Sequence, residues 1–377
     1  MQSFEGRLSR AATAGEYFAA ELVEPAGLTD LSVDWPADVD LTFERSKDGV
    51  WLLSGILATP KLHEFTLHGQ INGKPASVNL RLPVSPDPWS MWQDLPVDWD
   101  TLPYPKQDTA TMRISGDHVM IGASRRGRSH AHKALPRDDD MRVAFDAQTG
   151  WHVMVVADGA GSAEFSRLGS ETAAETVSSV LFRSLPDDPT KNEALRQSLI
   201  QAMLTTAQAL DALADKSSHP LGSFNTTLLV AVAKQIDDGW FLGSISVGDG
   251  LVGVIADNEQ PLMMSVDHGE FAGQTTFLRN DMIDAKKLGD RIHTRSVSDF
   301  TAFIAMTDGV SDPMFASQSA TADPAAWADL LTQIEMAGVQ RDNPDAHNAL
   351  LEWLNFRVKG EHDDRTIAIL YPNGGVA

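Results

Sequence analysis

Two kinds of apolar pattern divide the chain. Between residues 39 and 84 the apolar positions alternate with polar ones, as in Val39-Asp40-Leu41-Thr42-Phe43 and Glu64-Phe65-Thr66-Leu67-His68. A period of two places alternate side chains on one face of a strand. The Asn72-Gly73 pair reads as a tight turn into a partner strand at Ser77-Val78-Asn79-Leu80-Arg81-Leu82. Several short strands with close turns predict a small all-β sandwich. Residues 11–22 are alanine-rich, and a short helix is expected there.

Beyond residue 111 the texture changes. Strands are predicted over residues 118–124, 141–146, 152–157, 226–233, 240–247, 251–255, 300–306 and 366–371. Helices are expected over 170–185 and 192–215, the second with Leu195, Leu199, Met203, Leu210 and Leu213 on one stripe, and again over 324–336 and 347–356. Strands, two helices, strands, two helices and a strand do not make an alternating βαβ order. The pattern predicts an α+β fold, with a central β-sandwich flanked by paired helices. Residues 85–108 are rich in Pro, Trp and Asp without a clear period. The expected division is a β module with its linker at 1–105 and a second domain at 106–377.

Composition narrows the chemistry. The 377 residues include no cysteine, which excludes disulfides, thiolate nucleophiles and sulfur-ligated metals. With 52 acids against 30 Lys plus Arg, the net charge is −22. Such a chain is expected to repel nucleic acid and anionic membranes. No apolar run approaches the roughly 18 residues of a membrane span. A cytoplasmic protein is expected.

The candidate chemistry lies in four acidic turns, each beside a β-like run. They are Arg137-Asp138-Asp139-Asp140-Met141, Ala157-Asp158-Gly159-Ala160-Gly161, Thr307-Asp308-Gly309 and His362-Asp363-Asp364-Arg365-Thr366. Ser246-Val247-Gly248-Asp249-Gly250 fits as well as a hairpin turn. A single Asp-Gly is more often a turn than a ligand. Four carboxylate turns converging at sheet edges would repel one another strongly unless cations joined them. Hard divalent cations take oxygen ligands of this kind. Two Mg²⁺ or Mn²⁺ would relieve the repulsion and activate water for phosphoryl transfer.

The ordered series resembles the metal-dependent type 2C (PPM) serine/threonine protein phosphatases, bacterial branch, over about residues 115–370. It runs from Asp138-Asp139-Asp140 through Asp158-Gly159, Asn225-Thr226-Thr227, Gly248-Asp249-Gly250 and Asp308-Gly309 to Asp363-Asp364-Arg365-Thr366. Residues 269–277, Gly-Glu-Phe-Ala-Gly-Gln-Thr-Thr-Phe, are similar to a stretch in bacterial relatives. The resemblance implies that Asp158 bridges the metals, that Gly159 offers a carbonyl, and that Asp308 and Asp363 are later ligands. One of Asp139 and Asp140 matches the early acid. It implies phosphate binding by Arg128 or His130, with His130 also considered as the acid for the leaving oxygen. The acid that helps a third metal before the Thr-Thr strand is absent, since that stretch reads Gly222-Ser223-Phe224-Asn225. The β module is similar in pattern to immunoglobulin-like modules of bacterial multidomain proteins. Expected partners are phosphorylated protein substrates and a cognate serine/threonine kinase.

Three other readings compete. Gly159-Ala160-Gly161-Ser162-Ala163-Glu164 imitates a dinucleotide loop, but lacks the third glycine and would aim Asp158 at a pyrophosphate. His130-Ala131-His132 is not a zinc-hydrolase motif. A catalytically weak type 2C-like module that binds phosphoproteins is the alternative from another class.

Overall fold

A computed structural model describes all residues except 1, 34, 36–38, 257–259, 266–274, 282, 316, 318, 341 and 373–377. The chain divides into two compact units, Met1–Gln93 and Asp94–Ala377.

The first unit is all-β. Its strands are β1 (Gln2–Leu8), β2 (Ala12–Thr13), β3 (Tyr17–Glu24), β4 (Leu28–Val33), β5 (Asp40–Arg45), β6 (Trp51–Ile56), β7 (Leu62–Ile71) and β8 (Lys74–Ser85). The hydrogen-bonded order is β4-β7-β8-β1-β3-β6-β5, with β2 beside β8. Strand β1 changes partners along its length: Gln2 to Gly6 run parallel to β8, and Arg7 and Leu8 pair with β3 across a bulge. Asn72, at φ 51°, and Gly73, at φ 71°, form the β7–β8 turn. The helix expected over residues 11–22 is corrected to two strands. Phe18, Ala20 and Leu22 are buried while Tyr17, Glu21 and Val23 face outward. That period of two, satisfied between β1 and β6, outweighs the weak helix preference of alanine.

The second unit contains β9 (Thr109–Ser115), β10 (His118–Arg125), α1 (Arg128–His132), β11 (Asp140–Phe145), β12 (Trp151–Ala157), α2 (Ser166–Ser184) and α3 (Asn192–Ser217). It continues with β13 (Leu228–Ile236), β14 (Gly239–Val247), β15 (Leu251–Ile255), β16 (Leu262–Met263), α4 (Ala285–Gly289), β17 (Ile292–Val297) and β18 (Ala302–Met306). The last elements are α5 (Asp308–Met314), α6 (Pro324–Met336), α7 (Ala346–Trp353) and β19 (Arg365–Tyr371). One sheet has the order β16-β15-β18-β19-β10-β9, and the other β11-β12-β13-β14-β17.

Three apolar layers follow from the strand sequences. Val153, Val155 and Ala157 of β12 pack under α2 and α3, while Met154 and Val156 pack between the sheets. Ile304 and Met306 of β18 pack under α6 and α7, and Phe303 and Ala305 point into the sandwich. A strand covered on both faces must be apolar at every position, which is why these runs do not alternate. The result is the α-β-β-α layering expected from the element order.

Two differences have local causes. Helix α2 starts at Ser166, not at residue 170, because Gly169 is a packing residue: a Cβ there would lie 2.2 Å from the Phe224 carbonyl oxygen. Strand β17 was not expected. It is an edge strand, and its His293-Thr294-Arg295-Ser296 core is polar.

Candidate metal centre

The apolar strands β12 and β18 deliver their acids to the same end of the sandwich. Asp158 follows β12, and Asp308 opens α5 directly after β18 and Thr307. Backbone bonds fix Asp158: its N–H donates to Thr227 Oγ1 at 3.0 Å, and its carbonyl accepts from Thr226 Oγ1 at 2.9 Å and from the Thr227 N–H at 2.8 Å. The Thr-Thr pair thus acts as a cradle for the Asp-Gly turn. Gly159 is required by crowding, since a Cβ would sit 2.6 Å from the Asp138 carbonyl oxygen. Gly309 is more constrained still, at 1.8 Å from the Asp364 carbonyl oxygen.

Asp249 joins them. The hairpin reading of Gly248-Asp249-Gly250 fails, because β14 and β15 belong to different sheets. The turn crosses between sheets with Gly248 at φ 105° and Gly250 at φ 100°, both in the region that favours glycine. Carboxylate oxygens of Asp158, Asp249 and Asp308 lie within 4.8 Å of one another. Asp249 Oδ2 accepts from Thr275 Oγ1 at 2.7 Å, while its Oδ1 is buried without a hydrogen-bond partner. Asp249 stands in the family series but outside the site residues that the sequence points to. The available signal was the pair of flanking glycines.

Of the two early acids, the structure brings Asp139 to the cluster. Its Oδ2 accepts from Thr366 Oγ1 at 2.7 Å and from Thr307 Oγ1 at 3.0 Å. Asp140 faces elsewhere: it pairs with Lys106 Nζ at 3.1 Å and Arg142 Nη1 at 2.7 Å. Successive residues entering a strand point to opposite faces, so only one of the two can reach the sheet end.

The acids therefore sort into two sets. Asp138, Asp140 and Asp364 are each held by a cation of the protein. His130 Nε2 is 3.3 Å from Asp138 Oδ2 and its Nδ1 is 2.9 Å from Asp364 Oδ1, while Arg167 Nε is 3.3 Å from Asp138 Oδ1. Asp139, Asp158, Asp249, Asp308 and Asp363 have no ion pair among the described residues. Their protonation follows. Burial, then the nearby Asp364, pushes Asp139 up to about 7. Burial, then Asp249 and Asp363, pushes Asp308 up to about 8. Asp158 is raised well above the carboxylate range by burial, Asp139 and Asp308. Asp363 rises with burial and the adjacent Asp364. In the other set, Lys106, Arg137 and Arg142 overcome burial and lower Asp140, and His130 does the same for Asp364. Asp138 rises with burial although His130 and Arg167 oppose it.

Two ionised carboxylates at about 4.8 Å repel by roughly 3 kcal/mol at an effective dielectric of 20. Three such pairs approach the whole stability of a domain, about 5–15 kcal/mol. An all-oxygen donor set with an orphaned carboxylate oxygen and no ion pair among the described residues fits hard divalent cations.

Arg128 and His130 lie on α1, which packs on the last acidic turn. A Cβ on Gly127 would be 2.2 Å from the Asp363 carbonyl oxygen, and the Ser129 N–H donates to the His362 carbonyl at 2.9 Å. Arg128 Nη2 is 3.5 Å from Asn355 Oδ1. Both ring nitrogens of His130 are engaged by carboxylates, so His130 stands behind the cluster, tying the early turn to the last one.

The family profile described as Protein phosphatase 2C matches residues 126–355, more than half of the chain. The chain belongs to the protein phosphatase 2C family. The matched stretch of this phosphatase holds Arg128, His130, Asp139, Asp158, Gly159, Asp249 and Asp308, and Asp363 follows it. The family's cofactors are Mg²⁺ or Mn²⁺, and the acid cluster is the place that fits them. Among solved structures, the chain is similar to a bacterial serine phosphatase (14% identity, 68% of this chain and 98% of that one, TM-score 0.45). It is also similar to the catalytic domain of PstP in complex with two manganese ions (16%, 70% and 99%, 0.42). A third is the serine-threonine phosphatase 2C of Toxoplasma gondii (14%, 71% and 99%, 0.46). No curated protein matches the chain. Residues 269–274 of the stretch similar to bacterial relatives lie outside the described residues. No helix among the described residues is long and apolar enough to cross a membrane.

Proposed function

We propose that this chain is an active serine/threonine phosphoprotein phosphatase that hydrolyses phosphomonoesters with two divalent cations held by Asp158, Gly159, Asp139, Asp308, Asp363 and Asp249. The observation that carries the reading is the sorting of the acids. Cations of the protein pair with Asp138, Asp140 and Asp364 and leave Asp139, Asp158, Asp249, Asp308 and Asp363 to a ligand.

Bound there, such ions supply a nucleophilic water at neutral pH and stabilise charge on the phosphoryl group. The chain's own part is positioning. Thr226 and Thr227 hold the Asp158 backbone, and Thr307 and Thr366 orient Asp139. Gly159 and Gly309 allow the turns to approach the neighbouring backbone. Arg128, at the rim beside the Asp363 turn, is assigned to grip the substrate phosphate, for which a guanidinium suits two oxygens at once. His130 is assigned to orient the two acidic turns and not to donate a proton, because its nitrogens already face Asp138 and Asp364. The separate β unit is assigned to binding phosphoprotein substrates or their kinase.

The test is Mn²⁺-dependent hydrolysis of p-nitrophenyl phosphate and of a phosphothreonine peptide by the full chain. Turnover that falls on the order of a hundredfold in Asp158→Asn and Asp308→Asn supports the reading. Turnover that survives both substitutions, or that needs no divalent ion, sinks it. Binding of a phosphopeptide without turnover would favour the non-catalytic module.

A further inference from the structure

The stretch between the β unit and β9 has no periodic pattern, yet it carries the most deeply engaged lysine of the chain. Lys106 is buried, and its Nζ faces four acceptors: the Arg167 carbonyl at 2.5 Å, Ser170 Oγ at 2.9 Å, Asp140 Oδ2 at 3.1 Å and the Asp139 carbonyl at 3.2 Å. An ammonium offers three donors, so the cage is full. Ser170 Oγ in turn donates to the Asp138 carbonyl, and Arg137 Nη1 donates to the Asp139 carbonyl. Asp364 Oδ2 accepts from the Asp138 N–H at 2.5 Å. The peptide units on both sides of Asp139 are thus held from outside the acid cluster.

The rest of residues 94–108 is fastened to the same frame. The Leu95 N–H donates to the Ala131 carbonyl at 3.0 Å, and Arg126 Nη1 donates to the Leu95 carbonyl at 3.3 Å. Arg137 Nε donates to the Gln107 carbonyl at 2.8 Å, and the Arg126 N–H donates to Asp108 Oδ1 at 2.8 Å. Arg167 Nη1 reaches the Pro103 carbonyl at 3.4 Å. These bonds make the segment a strap around the early acidic turn.

We propose that Lys106 is a positioning residue for the metal centre: by gripping the Asp139 carbonyl, the α2 backbone and Asp140 together, it sets the direction in which the Asp139 carboxylate enters the cluster. The proposal rests on the functional reading above. Lys106 Nζ meets the carbonyl of Asp139 and not its carboxylate, so it acts on the site through the backbone. Groups one shell behind metal ligands typically change metal affinity by about 10–100-fold when removed.

The test is Mn²⁺ binding to the metal-free full chain by calorimetry, with thermal unfolding of the same samples. Lys106→Met keeps most of the unbranched side chain and removes its donors, and its Mn²⁺ Kd is expected to rise by about tenfold or more. Lys106→Met takes from buried Asp140 its strongest counter-charge and leaves Arg142, with Arg137 nearby, to hold it, so a variant that also carries Asp140→Asn guards against failure to fold. Measured against Asp140→Asn alone, the double variant is expected to keep the tenfold weakening. A lowered Tm with a Mn²⁺ Kd within twofold of its reference overturns the proposal and leaves the functional reading standing. A parent chain that binds no Mn²⁺ overturns both.

Discussion

His130 Nδ1 lies 2.9 Å from Asp364 Oδ1, and the other face of the same ring meets Asp138. One buried imidazole therefore spans two acids that are 226 residues apart in sequence and flank the candidate ligands Asp139 and Asp363. The environment raises His130 to about 9: burial alone would lower it, but Asp364 and Asp138 outweigh burial. Below pH about 6.5 the ring is charged in both folded and unfolded chains, and its stabilising contribution is fully present. Between about 6.5 and 9 the unfolded chain has lost the proton that the folded one keeps, so stability falls as pH rises. The steepest slope is about 1.4 kcal/mol per pH unit. Urea unfolding of the metal-free protein from pH 6 to 9.5 should show the fall; the raised acids Asp139 and Asp308 add to it up to about pH 7 and 8, so His130→Ala should make it shallower throughout and flatten it most between about pH 8 and 9. That variant should also lose about 3–5 kcal/mol near neutrality, because it leaves two buried acids short of a cation.

His152 predicts the opposite slope. It is buried beside His118 and Trp240 at the start of β12, at the end of the strand away from Asp158. Burial, and secondarily His118, lowers it to about 4. The unfolded chain then binds more protons between pH about 4 and 6.5, so stability rises with pH across that window. Acid unfolding of His152→Phe should show a shallower slope there than the parent chain.

Asp139 and Asp140 can be separated by substitution. Asp139→Asn should weaken Mn²⁺ binding and lower turnover by on the order of a hundredfold while leaving the melting temperature similar or higher, because it removes a repelling acid. Asp140→Asn should act mainly on stability, through Lys106 and Arg142, at a cost of about 1–3 kcal/mol. Calorimetry with Mn²⁺, run beside thermal unfolding, distinguishes the two; equal effects on metal binding would contradict the placement of Asp140 outside the cluster.

Gly309→Ala should be among the most damaging single-methyl changes. The added Cβ would meet the Asp364 carbonyl oxygen at 1.8 Å, so either α5 or the last acidic turn must move. Both Asp308 and Asp363 would shift, and a loss of turnover together with a Tm fall of several degrees is expected. A Gly309→Ala enzyme with parental kinetics would show that the two turns tolerate separation.

Removal of residues 1–93 should spare hydrolysis of p-nitrophenyl phosphate and reduce turnover of phosphoprotein substrates. Removal of residues 1–108, which takes Lys106 and the strap, should abolish both. Paired assays on the small and the protein substrate check this, and equal loss of both in the shorter deletion would count against a partner-binding role for the β unit.

Much of this protein is determined by local sequence. The runs at 153–157 and 303–306 are short, continuously apolar and followed at once by Asp-Gly or Thr-Asp-Gly, which suits strands covered on both faces. Asn72-Gly73 sets a turn, and Asp158-Gly159 and Asp308-Gly309 put carboxylates at strand ends. Local preference was overruled where a strand found partners, as at Tyr17–Glu24, and where a glycine served packing and not flexibility, as at Gly169. The acids themselves are a tertiary matter. Asp138-Asp139-Asp140 and Asp363-Asp364 are chemically alike along the chain, and sequence cannot say which member lacks a counter-charge. Lys106 and Arg167 decide that from positions about thirty residues away, His130 by joining the early turn to the last one and Arg142 from two residues beyond Asp140, and Asp249 joins because β14 and β15 fall in different sheets. Charge pairing acts through space at a few ångströms, whereas the patterns legible in sequence act through neighbours along the backbone.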